Sequence, residues 1–321
     1  MNELIENVRP KDSDNPLVTF AVFAYNHERY IREAVEGALS QTYTPLEIII
    51  SDDCSIDQTF DLVKEMLEGY SGPHALRVIC NKQNLGVCAH VNAVAAVASG
   101  DLLVLAAGDD VSESDRVKEV VNIWNLYKPS AIYSNAVLIN ENGQNIGEWN
   151  VVDEDSGGVV RIDKEEDVVP PRFYGAGAAY ARTLFTMFGP LPTDVRNEDF
   201  NLVWRALMSN GIAYVSKKVV RYRKHEENLS FWVKLSNARS IRKRVVINSH
   251  KNKNEMKNWE HIASYAIDLY GESSPIVDKI RRLARDRSRS VIQLYYDETR
   301  ACLVRYVSLI EKFLCGIRRA L

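Results

Sequence analysis

Apolar positions along this chain fall into two rhythms. Short runs of strand length, LVTFAVFA at 17–24, LEIIIS at 46–51, ALRVIC at 75–80 and LLVLAA at 102–107, alternate with segments whose apolar residues return every three or four positions. The runs read as buried strands and the longer spacing as helices packed by one face. The first helix is expected from Glu28 to Ser40, with Ile31, Ala34, Val35, Ala38 and Leu39 on one side, and further helices around 59–69 and 88–98. Ser55 and Gln58 stand at capping-box spacing, S-x-x-Q, for a helix beginning near Ile56. This βαβαβαβ order predicts a sheet with crossover helices.

Past Asp110 the rhythm changes. A helix is expected near 116–127 and a strand, AIYSNAVLI, at 131–139, followed by Asn142-Gly143, a hairpin turn signal. The acidic, Gly-containing stretch 150–170 reads as a loop with one short strand. Helical period returns in FNLVWRALM at 200–208, and two strands are expected near 212–216 and 218–222. Beyond Asn237 the pattern is helical, broken at Gly271 and Pro275. Leu303, Tyr306, Val307, Ile310, Phe313, Leu314 and Ile317 form a final amphipathic stripe, with Arg305, Lys312, Arg318 and Arg319 off or beside it. The expected organisation is a polar lead-in (1–15), an α/β domain (16–236, with halves 16–110 and 111–236) and a helical C-terminal region (237–321).

Composition adds an asymmetry. The 321 residues are 46% hydrophobic, enough for a sizeable core, and the formal net charge is only −3. Residues 221–321 nevertheless hold 22 Lys+Arg against 11 Asp+Glu, while 1–220 hold 18 against 32. A basic tail suits an anionic surface, a membrane rather than nucleic acid, or is simply a solvated helical face. Cys54, Cys80, Cys88, Cys302 and Cys315 are too scattered for a metal knuckle or a disulfide framework, which points to a reducing cytoplasm. The start, MNELIENVRPKDSDNP, lacks a signal-peptide pattern, and no stretch approaches the roughly 18 apolar residues of a spanning helix. The expectation is a cytoplasmic protein, neither exported by a signal peptide nor integral.

Candidate chemistry collects at the carboxyl ends of strands, where open α/β sheets bind ligands. Asp52 and Asp53 follow the second strand, and Asp109 and Asp110 the fourth. Adjacent carboxylates repel, so a site that keeps them needs a cation or hydrogen-bond donors. Mg²⁺ or Mn²⁺ accepts one or two carboxylates and completes its shell with water and phosphate oxygens. The structural alternative for Gly108-Asp109-Asp110 is a polar turn capping the next helix. No P-loop and no G-x-G-x-x-G follows the first strand, and GAGAAYAR at 175–182 only looks Gly-rich.

The succession AVFAYNHERYIREAVEGALSQTY, PLEIIISDDCSIDQT, NLGVCAHVNAVAAVASGDLLVLAAGDD and NEDFNLVWRAL resembles the inverting family 2 glycosyltransferases with the A-type fold, over roughly 16–230. The resemblance implies a mixed central sheet, a nucleotide-sugar donor, Mn²⁺ or Mg²⁺, and a glycan or lipid-linked acceptor. Tyr25 and Asn26 then match the loop where the nucleotide packs. Asp53 matches the acid that accepts a hydrogen bond from the base, which suits uracil or thymine. Asp109 matches the acid near the ribose, Asp110 the metal ligand, and Asp199 the general base, with Glu198 as its rival or as a helix N-terminal charge. An ordinary carboxylate pKa is expected to suffice for Asp199. Cys54 departs from the Gly or Asn more usual in that turn.

VRYRKHEENLS at 220–230 resembles the segment ending many such domains. His225 would be a further metal ligand or a diphosphate contact, and Arg221, Arg223 and Lys224 would supply cations to the phosphates; the alternative is an exposed basic loop. Trp204 and Trp232 are candidates for stacking on sugar, though the spacing of Trp204 favours the core. The helical tail would pack on the catalytic domain, form a homodimer, or lie peripherally on the inner face of the membrane. The leading reading is a metal-dependent inverting enzyme of bacterial surface polysaccharide synthesis. A sugar-phosphate nucleotidyltransferase would want a Gly-rich basic loop where AYNHERY stands, and an inactive scaffold would not need the four acids together.

Overall fold

The computed structural model describes residues 15–152, 173–225, 228 and 241–286, the last stretch with side chains from 254 onward. The chain divides into two units, Met1–Glu226 and Glu227–Leu321. In the first, the elements are β1 (Val18–Ala24), α1 (Ile31–Leu39), β2 (Leu46–Asp52), α2 (Thr59–Leu67), β3 (Ala75–Cys80), α3 (Val87–Val97), β4 (Leu102–Ala107), β5 (Val111–Ser112), α4 (Arg116–Tyr127), β6 (Ala131–Asn140), β7 (Asn145–Trp149), β8 (Ala178–Ala181), α5 (Thr183–Phe188), α6 (Glu198–Leu207) and β9 (Ile212–Lys224).

The strands pair in the order β3-β2-β1-β4-β8-β6-β9-β5, with β7 beside β6. The β3-β2-β1-β4 half is parallel, β8 runs antiparallel to both β4 and β6, and β9 is parallel to β6. This is the mixed α/β sheet expected. Its direction rules bring the carboxyl ends of β1, β2, β4 and β9 to one rim. Val18, Phe20, Val22, Ile48, Ile50 and Val104 are buried with Ile31, Val35, Val117 and Val121 of α1 and α4. Each such side chain contributes about 1.5–3 kcal/mol by leaving water. Gly37 lets α1 lie against β5, since a Cβ there would stand 2.9 Å from the Ser112 carbonyl oxygen.

Three local expectations are corrected. The first helix starts at Ile31, not Glu28; residues 28–30 form a turn in which the N–H groups of Tyr30 and Ile31 both donate to the His27 carbonyl at 2.9 Å. The Ser55–Gln58 capping box does not form. Ser55 Oγ instead donates to Asp52 and accepts from Asn26 N–H at 2.8 Å, and α2 begins at Thr59, whose N–H donates to Asp57 Oδ1 at 3.0 Å. The two strands expected at 212–216 and 218–222 are one strand, β9, whose register against β6 slips around Asn135. The bulge exposes Lys217 and re-aims the strand's end. The hairpin at Asn142-Gly143 is present: Gly143 takes φ 77° and donates to the Asn140 carbonyl at 3.0 Å.

In the second unit α7 spans Ile241–Tyr270 and stops at Gly271, which takes φ 80°; helix resumes over 275–286. Trp259, Ile262, Ala266, Val277 and Ile280 are buried. Among the described residues no helix is long and apolar enough to cross a membrane. The amphipathic stripe at 303–317, Trp232 and most of the 150–170 loop lie outside the described residues.

Cys54 takes φ 65°, a left-handed conformation that costs a side chain about 1–2 kcal/mol, and this explains why Gly or Asn is usual there. Cys54→Gly is therefore expected to raise the unfolding free energy by about 0.5–1 kcal/mol, after the extra freedom glycine gains in the unfolded chain, measured by urea denaturation.

Candidate active site

Tyr25 and Asn26 leave β1, Asp53 leaves β2, and Asp109 and Asp110 leave β4, so three loops meet at one rim. The first two are stitched together. Asn26 Oδ1 accepts from Ile56 N–H at 3.0 Å, Glu28 N–H donates to Asp57 Oδ2 at 3.1 Å, and Gln58 N–H donates to Glu28 Oε2 at 3.0 Å. Tyr25 keeps 43% of its surface exposed on the rim. Asp53 is buried, with Oδ1 accepting from Asn81 Nδ2 (2.8 Å) and Leu85 N–H (2.9 Å), and Oδ2 from Gly86 N–H (3.0 Å). Behind it His90 Nε2 lies 2.7 Å from Ser51 Oγ, and burial pulls that imidazole's pKa down.

The acid pair is nearly enclosed, with Asp109 8% and Asp110 4% exposed. Burial by itself would raise the Asp109 carboxyl. The hydrogen bond from His225 Nε2 at 2.9 Å and the nearby His27, 4.0 Å away, outweigh it and hold Asp109 below its ordinary value. Asp110 has weaker company. Its Oδ1 accepts from Arg223 N–H at 2.7 Å, while Oδ2 is buried without a hydrogen-bond partner. Burial, then the charge of Asp109, push Asp110 well above the usual carboxylate range.

Of the residues expected to offer cations to phosphate, Arg223 lies against these acids. Arg223 is fully buried, donates from Nε to the Asp109 carbonyl at 2.8 Å, places Nη2 3.0 Å from Glu33 Oε2, and lies 4.7 Å over the Tyr30 ring. Tyr30 also touches His225, ring to ring at 4.9 Å. Arg221 donates to the Gly143 carbonyl at 2.9 Å, and Lys224 stands 4.2 Å over Tyr222. The end of β9 is thus an inward-facing strand, not an exposed basic loop.

Sequence reasoning passed over Arg116. It is 1% exposed and donates to Ser112 Oγ (2.9 Å), the Leu105 carbonyl (2.7 Å) and the Ala176 carbonyl (2.8 Å). Burial lowers its pKa to about 10, which still leaves it cationic near neutrality. A signal was available, since a cation in the first turn of a helix opposes the helix dipole and needs another reason to be there. Arg116 ties β4 and β5, which flank the Asp109–Asp110 turn, to the 3₁₀ turn Gly175–Gly177. Gly175 in turn abuts α6: a Cβ there would stand 2.6 Å from Glu198 Oε1 and 3.7 Å from Asp199 Cβ.

Glu198 and Asp199 open α6, and Asp199 Oδ1 accepts from Phe200 N–H at 2.7 Å. Burial raises both carboxyls, and the neighbouring Asp199 charge adds to the rise of Glu198, which reaches about 8. The expectation of an ordinary pKa for Asp199 is therefore corrected upward, because protein surrounds what a helix start usually leaves to water. Trp204 is fully buried, as its spacing indicated.

Among the described residues no three His, Cys, Asp or Glu side chains are grouped to hold a metal unaided. Asp110 fits a less demanding site, in which one carboxylate meets a hard divalent ion and water and diphosphate supply the other oxygens. Its unpartnered, buried Oδ2 beside a second negative charge is the observation that favours such an ion.

Residues 19–185 match the family described as Glycosyl transferase family 2. An uncharacterized protein of Mycobacterium tuberculosis (strain H37Rv) is 27% identical over 209 residues, 64% of this chain and 58% of that protein. A putative glycosyltransferase, EpsE, of Bacillus subtilis is 30% identical over 127 residues, 40% of this chain and 45% of that one. The Escherichia coli UDP-Glc:alpha-D-GlcNAc-diphosphoundecaprenol beta-1,3-glucosyltransferase WfaP is 32% identical over 121 residues, 37% and 45% of the two chains. The chain spans about half the length of the curated relatives it matches. The crystal structure of S. aureus TarS 1–349 with UDP-GlcNAc superposes with a TM-score of 0.55 at 17% identity, over 87% of this chain and 91% of that one, a likeness of fold. With acids gathered at the rim of a mixed sheet and a family match over just over half its length, this chain belongs to glycosyl transferase family 2 and has the A-type fold.

Proposed function

We propose that the chain transfers a glycosyl group from a nucleotide-sugar, with uridine the fitting nucleoside, to a hydroxyl of a glycan or lipid-linked acceptor, inverting the anomeric carbon. The arrangement that carries this is the set of acids: Asp53, Asp109 and Asp110 at one rim, and Asp199 linked to the same rim through Arg116 and the Gly175–Gly177 turn. The name of the WfaP relative, with its UDP-Glc donor and diphosphoundecaprenol acceptor, supports the same pairing of substrates.

Each residue has a task in this reading. Tyr25 and Asn26 flank the nucleoside. Asp53 Oδ2 accepts from Gly86 N–H and has lone-pair capacity for the N3–H of uracil. Asp109, held ionised, accepts ribose hydroxyls. Asp110 would hold Mn²⁺ or Mg²⁺, which when bound supplies positive charge to the departing diphosphate. Arg223 and His225 fix the two acids in place. Asp199 takes the proton from the acceptor hydroxyl as it attacks, and its raised pKa makes it the stronger base for that step.

Incubation with UDP-, dTDP- and GDP-sugars, with and without Mn²⁺ or Mg²⁺, is expected to give metal-dependent release from a uridine donor; release from GDP-sugars alone would remove the uridine assignment. Asp199→Asn is expected to keep calorimetric donor affinity while transfer falls at least about 10²-fold. Asp110→Ala should weaken metal-dependent nucleotide binding, and unchanged binding would take it out of the metal site.

Glu198 yields a test of the pKa assignment. Raised from 4.5 to about 8, it stays protonated in the fold while the unfolded chain ionises. The fold therefore loses stability through this group as pH rises from about 4.5 to about 8, and the loss is level above that. Glu198→Gln should match the wild-type Tm near pH 4.5 and exceed it by a margin that widens up to about pH 8; a margin independent of pH would mean an ordinary carboxyl.

A further inference from the structure

Beyond the acids lies an aromatic cluster the mechanism does not use. Tyr174 and Tyr222 have ring centroids 5.7 Å apart, and Trp149, at the end of β7, stands 6.0 Å from Tyr174 and 6.5 Å from Tyr222. Lys224 lies 5.3 Å over the Trp149 ring as well as over Tyr222. Such a cluster is usually core, and its inner member, Tyr174, is 8% exposed. Its outer member is not, for Trp149 keeps 38% of its surface exposed. The backbone on either side of Trp149 is anchored. Glu148 pairs with Lys218 at 2.9 Å, and the N–H groups of Val151 and Val152 donate to Asn135 Oδ1 at 2.8 and 3.2 Å.

The inner end of the cluster reaches the proposed chemistry. The Tyr174 hydroxyl lies 3.5 Å from Ser134 Oγ, within electrostatic reach of Arg116 and Asp110. The residue after it, Gly175, abuts Glu198 and Asp199. The cluster therefore starts at the residue before Gly175, which abuts the candidate base, and runs outward onto β7 and β9.

We propose that Trp149, with Tyr222 and Lys224, is the platform on which a pyranose ring of the acceptor stacks, an inference that rests on the glycosyl-transfer reading. A pyranose presents an apolar C–H face to the indole and hydroxyl edges to the ammonium, while the rigid strand sets its hydroxyl relative to Asp199. Residue 149 thereby selects the acceptor, not the donor.

The test uses the full chain with ¹⁵N-labelled tryptophan, which carries five indoles. Trp149→Phe identifies the Trp149 N–H resonance, and methyl pyranosides of glucose, galactose, mannose and N-acetylglucosamine are titrated in. At least one is expected to move the Trp149 signal, and Trp149→Ala to weaken that glycoside by about fivefold or more, with the other four indole signals showing that the variant is folded. If no glycoside in the panel moves Trp149, or Trp149→Ala leaves the affinity unchanged, the proposal is overturned. Calorimetry with UDP-sugars separates it from the donor assignment. A loss of UDP-sugar affinity in Trp149→Ala would give the platform to the donor and overturn it, whereas wild-type protein that binds glycoside at Trp149 but no UDP-sugar would sink the donor assignment alone.

Discussion

Two adjacent carboxyls enclosed at the end of a buried strand are the constraint around which this structure is arranged. Two charges about 4 Å apart repel by about 4 kcal/mol at an effective dielectric near 20, and each also loses its hydration. A hydrogen bond to a charged group returns about 1.5–3 kcal/mol, so a single N–H cannot keep both ionised. Asp109, with His225 bonded to it and His27 beside it, is held below the ordinary carboxylate value; Asp110, with one backbone N–H, is pushed well above it. The difference between the two acids is thus made by their neighbours.

Those neighbours come from far along the chain, which is why the second half of the sheet matters to the first. Because β9 runs parallel to β6, its end returns to the rim, and its pairing with β5 sets Val111 opposite Arg221. Arg223 and His225 then arrive beside Asp109 and Asp110 as a continuation of that pairing. The bulge near Asn135 adjusts where the strand ends. Gly37 lets α1 close from the other side, bringing Tyr30 and Glu33 to the Arg223 guanidinium. A strand, a helix and a turn separated by up to two hundred residues converge on one pair of oxygens.

The parts of this arrangement that local pattern controls were readable from the sequence. β3, β4 and α4 lie where the periodicity put them, because β-branched runs and an apolar helical face need only neighbours to become core. The acids at strand ends were readable for a similar reason, since a charge directly after a buried run has few places to go. What local pattern misled on was polar chemistry with distant partners. Ser55 has capping-box spacing, yet its hydroxyl joins the β1 and β2 loops instead. Arg116 looks like an ordinary helix residue until Leu105 and Ala176 are seen to aim their carbonyls at it. Trp149 and Tyr174 are separated by the long 150–170 stretch, and no spacing rule brings them together.

The second acid pair repeats the electrostatic problem at the start of a helix. At 109–110 the first carboxyl is lowered and the second raised; at 198–199 burial raises both, and the Asp199 charge adds to the rise of Glu198. The two pairs differ in where their neighbours come from. Asp109 is at the end of a strand, within reach of side chains returning on β9, while Glu198 and Asp199 both lie in the first turn of α6, where backbone N–H groups and the helix dipole favour a negative charge. Glu198 also accepts backbone N–H groups, its own and that of Asp199, but burial and the Asp199 charge outweigh them and raise its carboxyl to about 8. A base has to be ionised before it acts, so a carboxyl at the start of α6 can accept a proton only where backbone donors and the helix dipole offset its burial.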